Sequence, residues 1–459
     1  MEWWEAGWFI NNESNRNDHW TIYDNYGFVH VYALTMSLGV IVAILLAMWK
    51  LWRKGISLQE IMYGAAIAVP AGLFGASFFG KLNAQGVGSN AGGAKFFGLF
   101  AFWEAGMSIH GAILAGAFAG IVIFYFFGRK TKVSVLVYMD CILPSILISQ
   151  AIGRWGNFFN HEIFGRPVGT YESSALSWLP NWIRDNVTFT YGGPQGQVIN
   201  GITMQNGVDY VMQPLFLVEC LSFVAAWLII TFLIPGIGKW ISKKPWKIHP
   251  DKYSFDLKYS FKRAFGGTKE EGKLTYTEIW NKAFYRNVNV EWVEKYNKEV
   301  NSIEGKNKFI KRWKQGQFLA QANNPDNYKI IKCGVEAGAY FFFWNLVRFS
   351  LELTRPKDHL FLNYLPTASY TLVGLTMVGG VIFALVSQFV LPNLTRVPGY
   401  YYEKQYFYTE EAIEKEFGSK RSKELSEEKA KALAEKERQK EAKAKEKLEK
   451  LKQKEQRDF

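Results

Sequence analysis

Residues 28–49 read FVHVYALTMSLGVIVAILLAMW, and His30 is the one side chain among them that titrates near neutral pH. As a helix this run extends about 33 Å, enough to cross the hydrocarbon core of a bilayer. Comparable runs recur at 61–80, 107–127, 133–152, 214–234 and 369–391, interrupted only by single groups such as Asp140 and Glu219. A weaker run at 335–353 carries Glu336, Arg348 and Glu352. The expected fold class is therefore an all-α polytopic membrane protein with about seven transmembrane helices. The mean hydropathy of −0.08 hides this, because it averages two unlike populations. Long apolar runs fill much of the first 235 residues, and charge-dense stretches fill much of the rest. A wholly soluble protein is excluded. Cys141, Cys220 and Cys333 sit in no CxxC pair, so neither a disulfide framework nor a structural zinc site is expected.

Lysine and arginine in the connections set the orientation. Lys50, Arg53 and Lys54 follow the first run, and Arg129, Lys130 and Lys132 follow the third. Both connections, with the long basic stretch after the fifth run, fall on one face, expected to be cytoplasmic. The outer N-terminal segment 1–27 carries Arg16 against Glu2, Glu5, Glu13, Asp18 and Asp24. The N-terminus is placed outside and the C-terminus inside. No cleavable signal peptide is expected, since the first apolar run is too long and lacks a basic leader. The expected organisation is spans one to four over 28–152, an outer head over 153–213, and span five over 214–235. A basic cytoplasmic insert over 236–333, spans six and seven over 334–391, and a charged cytoplasmic tail over 392–459 complete it. Residues 239–332 hold 21 Lys and Arg against 10 Asp and Glu, a balance of 21 − 10 = +11 out of +13 for the chain. Either a small soluble domain or a surface for anionic lipid headgroups accounts for that balance. Residues 418–459, where Lys and Glu alternate, read as an exposed helix or a disordered tail. No nucleic-acid recognition motif accompanies the basic charge.

Ionisable groups at membrane depth are costly and mark function by default. His30, His110, Arg154, Glu219, Arg348, Glu352 and Arg355 all fall near the outer face, with Tyr32 opening span one beside them. Asp140 lies deeper and reads as a structural partner. Arg348, Glu352 and Arg355 stand at i, i+4 and i+7, one face of a helix. Two readings fit: an ion pair with a neighbouring span, or an anion clamp in which two guanidiniums present paired donors to a phosphate. The most distinctive stretch is Gly153-Arg154-Trp155-Gly156-Asn157-Phe158-Phe159-Asn160-His161-Glu162-Ile163-Phe164-Gly165-Arg166-Pro167. An arginine leaves the membrane, followed by glycines that allow close backbone approach and by Asn and Glu that orient by hydrogen bonding. It reads as a polar headgroup site at the interface.

That stretch resembles the signature of the prolipoprotein diacylglyceryl transferase family, G-R-x-G-N-F-x-N-x-E-x-x-G-x-P, at every fixed position. Four further elements resemble the family in order: His30-Val31-Tyr32, Gly106-Met107-Ser108-Ile109-His110-Gly111, Gln213 to Glu219, and Arg348 to Arg355. Trp344 and Val218 stand where the family usually has tyrosine, Gln213 where it has histidine, and Ala112 where it has glycine. The resemblance implies a bacterial cell-membrane enzyme that moves the diacylglyceryl group of phosphatidylglycerol to the lipobox cysteine of a prolipoprotein signal peptide. A thioether forms and glycerol phosphate leaves. It further implies Arg154 and Arg348 on the phosphate, and His110 as proton acceptor or headgroup ligand. Asn157, Asn160, Glu162 and Gly165 would orient the headgroup, with Glu352 bracing the arginines, Arg355 binding substrate beside them and Tyr32 positioning lipid. No metal or organic cofactor is implied. A transporter or lipid-binding protein is the alternative, but its polar residues should reach both faces. A third reading is an inactive paralogue acting as scaffold, in which the signature should have decayed.

Overall fold

The computed structural model describes residues 7–10, 21–86, 96–100, 109–287, 290–303, 307–355, 360–361 and 365–407. The expected tail 418–459, most of the N-terminal segment and residues 106–108 lie outside the described residues. Ten helices carry the argument: α1 (Val31–Arg53), α2 (Gln59–Gly86), α3 (Ile109–Thr131), α4 (Val135–Phe159), α5 (Leu215–Leu228), α6 (Ile234–Ile241), α7 (Leu257–Ala264), α8 (Lys308–Asn323), α9 (Val335–Glu352) and α10 (Pro366–Phe389). A π-helical turn, Ile229–Leu233, joins α5 to α6. Among the described residues, six stretches are long and apolar enough to cross a bilayer: Val31–Arg53, Gln59–Leu82, Leu114–Thr131, Val135–Phe159, Leu215–Ile248 and Pro366–Phe389. The chain is thus a multi-pass membrane protein. The weak run at 335–353 forms α9, but Glu336, Arg348 and Glu352 keep it out of that apolar set.

Bilayer helices gain little from the hydrophobic effect against one another, so close packing must hold them. Glycine provides it here. A Cβ on Gly39 of α1 would lie 2.8 Å from the Ser149 carbonyl oxygen of α4. One on Gly338 of α9 would lie 2.6 Å from the Ala384 nitrogen of α10, and one on Gly380 of α10 would lie 2.6 Å from the Phe342 nitrogen of α9. Gly75 of α2 and Gly111 of α3 meet in the same way. Large apolar side chains such as Phe118 and Leu375 face outward, 72% and 64% exposed, as lipid contact requires.

Charge is concentrated at the two ends of α4. At its start, Asp140 Oδ2 accepts from the Gly334 amide at 2.7 Å, and Oδ1 from the Ala337 amide at 2.9 Å. These are amides that the first turn of α9 cannot satisfy itself. Lys50 of α1 ion-pairs with Glu336 and donates to the Asp140 carbonyl at 2.6 Å. Asp140 therefore has the structural role its depth implied. Fourteen residues, or about 21 Å of helix, separate it from Arg154 at the other end.

The segment between α4 and α5 is a small head that, with Phe9–Ile10 of the N-terminal segment, forms a four-stranded antiparallel sheet. Its strands are β1 (Phe9–Ile10), β2 (Pro167–Thr170), β3 (Thr188–Tyr191) and β4 (Asp209–Met212), in the order β1-β3-β4-β2. Phe9 pairs with Tyr191, and Phe189 with Tyr210. These strands of two to four residues carry no alternation long enough to be read from sequence.

Beyond α10 the chain folds back under the bundle. Arg396 grips Glu403 through two parallel hydrogen bonds of 2.8 and 2.6 Å, and Tyr406 donates to the same carboxylate at 2.6 Å. Burial pushes the Glu403 carboxyl up, but the Arg396 guanidinium and Lys332 ammonium outweigh it and hold it at about 2. A carboxyl depressed by folding stabilises above its unfolded pKa of about 4.3, and that stabilisation is lost as pH falls toward the folded value. Thermal melts are expected to show midpoints falling between about pH 4 and pH 2. Glu403→Gln should lower the midpoint at neutral pH and flatten the acid branch, and an unchanged branch would refute the clamp.

Candidate functional site

The signature begins inside a helix. α4 runs to Phe159, seven residues beyond the expected end at 152, because aromatic packing continues it. Phe158 stacks on Phe216 of α5 at 4.4 Å between centroids, and Trp155 stacks on Trp182 of the head at 6.0 Å. Arg154 and Asn157 therefore project from one side of a helix end that is locked to the head and to α5. The chain then turns sharply. His161 and Ile163 adopt φ of 53° and 59°, in the left-handed region that a β-branched residue rarely occupies. Backbone strain of this type clusters at functional sites. The turn is closed by the Glu162 amide donating to the Asn157 carbonyl at 2.9 Å.

A continuous polar chain runs from that turn into the bundle. Asn157 Nδ2 donates to Glu162 at 3.1 Å, and Arg154 donates to Asn157 Oδ1 at 3.3 Å. Arg154 also ion-pairs with Glu219 in the second turn of α5. The other oxygen of Glu219 takes Arg355. Arg348 pairs with Glu352 at 2.9 Å, and Glu352 is held in turn by the Phe361 amide and by the Ser369 hydroxyl at 2.5 Å. Arg348 lies within electrostatic reach of Glu219 and Arg154, so the two pairs form one cluster. Its carboxylates are 0% exposed, whereas Arg154 and Arg348 keep 20% and 14% of their side chains accessible. The acids are sealed inside, while the two arginine side chains keep some accessible surface. Among the described residues, the buried cluster holds three guanidiniums, Arg154, Arg348 and Arg355, against two buried carboxylates, Glu219 and Glu352.

The structure thus brings together Arg154, Asn157, Glu162, Arg348, Glu352 and Arg355. One expectation is corrected. Arg355 is not on the helical face of Arg348 and Glu352, because α9 ends at Glu352 and Arg355 lies in the turn beyond it. That turn lets it reach across to α5. Tyr32 stands in the first turn of α1, 40% exposed, with its backbone against Gly156 of α4. His30 occupies the cap position of the same helix and its side chain makes no capping bond. Asn160 is the C-cap of α4. Gly165 exchanges no side-chain bond: its amide donates to the Gln213 carbonyl, and a Cβ would lie 2.6 Å from the Gln213 side chain. Close packing explains its being glycine. His161 contacts Asn186 at 3.2 Å, away from the arginines. His110 falls in the first turn of α3, and its side chain lies outside the described residues.

Glu219, marked in the sequence as an ionisable group at membrane depth but given no specific role there, is the central residue of the cluster. The signal was present, since it is the lone acid in the run 214–234. Ser369 carried no signal at all. Among the described residues, no group of three His, Cys, Asp or Glu side chains is placed to hold a metal ion.

A sequence model of prolipoprotein diacylglyceryl transferase matches residues 25–255. Curated relatives named phosphatidylglycerol–prolipoprotein diacylglyceryl transferase include one from Streptococcus suis, 33% identical over 156 residues, which is 34% of this chain and 54% of the relative. One from Streptococcus sanguinis is 33% identical over 159 residues, 34% of this chain and 56% of the relative. One from Oceanobacillus iheyensis is 33% identical over 162 residues, 35% of this chain and 54% of the relative. The chain spans about half the length of the curated relatives it matches. Arg348, Glu352 and Arg355 lie beyond the matched residues, yet they close on Arg154 and Glu219 within them. With half its length matched and the signature arginine at the heart of the buried cluster, the chain belongs to the prolipoprotein diacylglyceryl transferase family.

Proposed function

We propose that the cluster binds the phosphate of phosphatidylglycerol and transfers its diacylglyceryl group to the lipobox cysteine thiol of a prolipoprotein. The observation that carries this is the excess of arginines over carboxylates, among the described residues, in the buried Arg154–Glu219–Arg355–Arg348–Glu352 cluster, whose Arg154 and Arg348 side chains stay partly accessible. A phosphodiester carries one negative charge, and guanidiniums match its oxygens with paired donors. In the reaction the thiolate sulfur attacks a glyceryl carbon, forming the C–S bond as the C–O bond to phosphate breaks. The electron pair goes to the phosphate oxygen, and glycerol phosphate leaves. Arg154 and Arg348 stabilise the charge growing there, and their fixed geometry lowers the barrier most. A free thiol has a pKa of about 8.5, so its proton must be taken up by a base. His110 is assigned that role or a headgroup contact. Asn157, Asn160 and Glu162 orient the glycerol, Glu352 and Arg355 fix the arginines, and Gly165 keeps the signature turn against Gln213. Tyr32 borders the lipid entry. The orientation that fits has the cluster near the outer face of the cell membrane, α9 as a seventh span, the N-terminus outside and the C-terminus inside.

Purified protein incubated with phosphatidylglycerol and a lipobox peptide is expected to yield the thioether-linked peptide and free glycerol phosphate in equal amounts. No product, under conditions where an authentic transferase works, would remove the enzymatic reading. A transporter would instead need a polar route to the far end, where the Lys50, Asp140 and Glu336 groups are satisfied within the protein.

A further inference from the structure

The insert between α6 and α9 turns an apolar face outward. Leu257 and Phe261 of α7, with Phe265 at its cap, are 70%, 66% and 77% exposed. Steps of four residues place them on one side of the helix. The Phe261 and Phe265 rings lie 4.8 Å apart. The opposite side is anchored. Tyr259 is 3% exposed, its hydroxyl accepts from the Glu270 amide at 3.3 Å, and Asp256 caps the helix by accepting from the Tyr259 amide at 3.1 Å. Lys258, Lys262 and Arg263 flank the stripe in solvent, with Lys262 loosely paired to Glu270 at 3.6 Å. A second patch opens α8, where Phe309 and Ile310 are 59% and 52% exposed between Lys308 and Lys311.

Both patches are tied to ends of membrane helices. Trp246 lies five residues past the end of α6, a reach of at most about 18 Å, and stacks on Phe255 at 4.4 Å, two residues before α7's first turn. Arg312 of α8 donates to the Leu394 carbonyl at 2.8 Å, just past the end of α10. Those two helix ends lie together. Gly238 of α6 packs on Ile330, whose carbonyl accepts from Gln388 of α10 at 3.0 Å.

We propose that the α7 stripe and the opening turn of α8 are a membrane-docking surface for anionic phospholipid, in the leaflet from which α6 and α10 emerge. An exposed apolar stripe with basic flanks is the arrangement of helices that lie in the interface. The insert's net charge of +11 complements an anionic surface. Tethering at both ends holds the stripe at high effective concentration beside the bilayer. The surface is independent of the arginine cluster, which lies at the opposite end of the helices.

The test uses full-length protein with Cys220→Ala, reconstituted in vesicles. Nitroxide labels are placed singly by Leu257→Cys, Phe261→Cys or, as a control off the stripe, Glu271→Cys. Collision with oxygen and with a water-soluble nickel chelate is read by paramagnetic resonance. In vesicles containing phosphatidylglycerol, the oxygen-to-nickel ratio at 257 and 261 is expected to exceed that at 271 at least threefold. In vesicles of phosphatidylcholine alone the excess should shrink toward unity. Water-like ratios at both stripe positions in anionic vesicles would overturn the proposal. So would shielding from both reagents, the signature of a protein partner, or equal lipid contact in the two compositions, which would remove the anionic requirement.

Discussion

Arg154→Ala is expected to lower kcat/KM for peptide lipidation by at least about 100-fold, the usual cost of losing one preorganised donor to developing charge. The loss should be larger than for a simple binding contact, because Arg154 links the signature turn to the buried cluster. Its hydrogen bond to Asn157 and its ion pair with Glu219 fix the orientation of its guanidinium. Arg154→Lys should recover little, since an ammonium keeps the charge but not the paired donors. Lipidation rates with purified variants decide the matter. Wild-type turnover in Arg154→Ala would refute the assignment to phosphate, and near-complete rescue by lysine would show that charge alone suffices.

Glu219→Gln should be more damaging to the fold than to any single contact. Glu219 is fully buried and holds Arg154 with one oxygen and Arg355 with the other. Neutralising it strands two guanidiniums at membrane depth, with Glu352 the remaining buried counter-charge of the cluster. Breaking a buried pair this way typically costs about 3–5 kcal/mol. A lower melting midpoint in detergent and loss of lipidation are both expected. Glu162→Gln, at an exposed carboxylate, should leave the midpoint within experimental error. A Glu219→Gln protein that melts and turns over like wild type would show that the cluster is not electrostatically closed.

Much of this was legible in the chain itself. Apolar runs long enough for a bilayer leave few alternatives to helices, so α1, α4 and α10 were fixed by composition and length. Arg154 and the Arg348–Glu352 pair stood out because charge in such runs is rare and needs a partner. What sequence could not supply was pairing across the bundle. Nothing local says that Glu219 would take Arg355 rather than a residue of its own helix. The i+7 spacing of Arg355 pointed to a continuous helix, but α9 stops at Glu352, where the carboxylate is drawn to the Phe361 amide and Ser369. The strands of the head escaped for a different reason. Their pairing is made by contacts distant in sequence, such as Phe9 with Tyr191, and each strand is too short to show a period.

The contact of Gly238 with Ile330 has an evolutionary corollary. The chain departs for its basic excursion and returns at nearly the same point, and between those ends Leu319 and Ala322 pack into the core formed with Leu51 and Tyr138. Closing such a loop costs entropy that grows only slowly with its length, so the stretches of the excursion outside that shared core could lengthen or shorten while the arginines on either side of it stay in register.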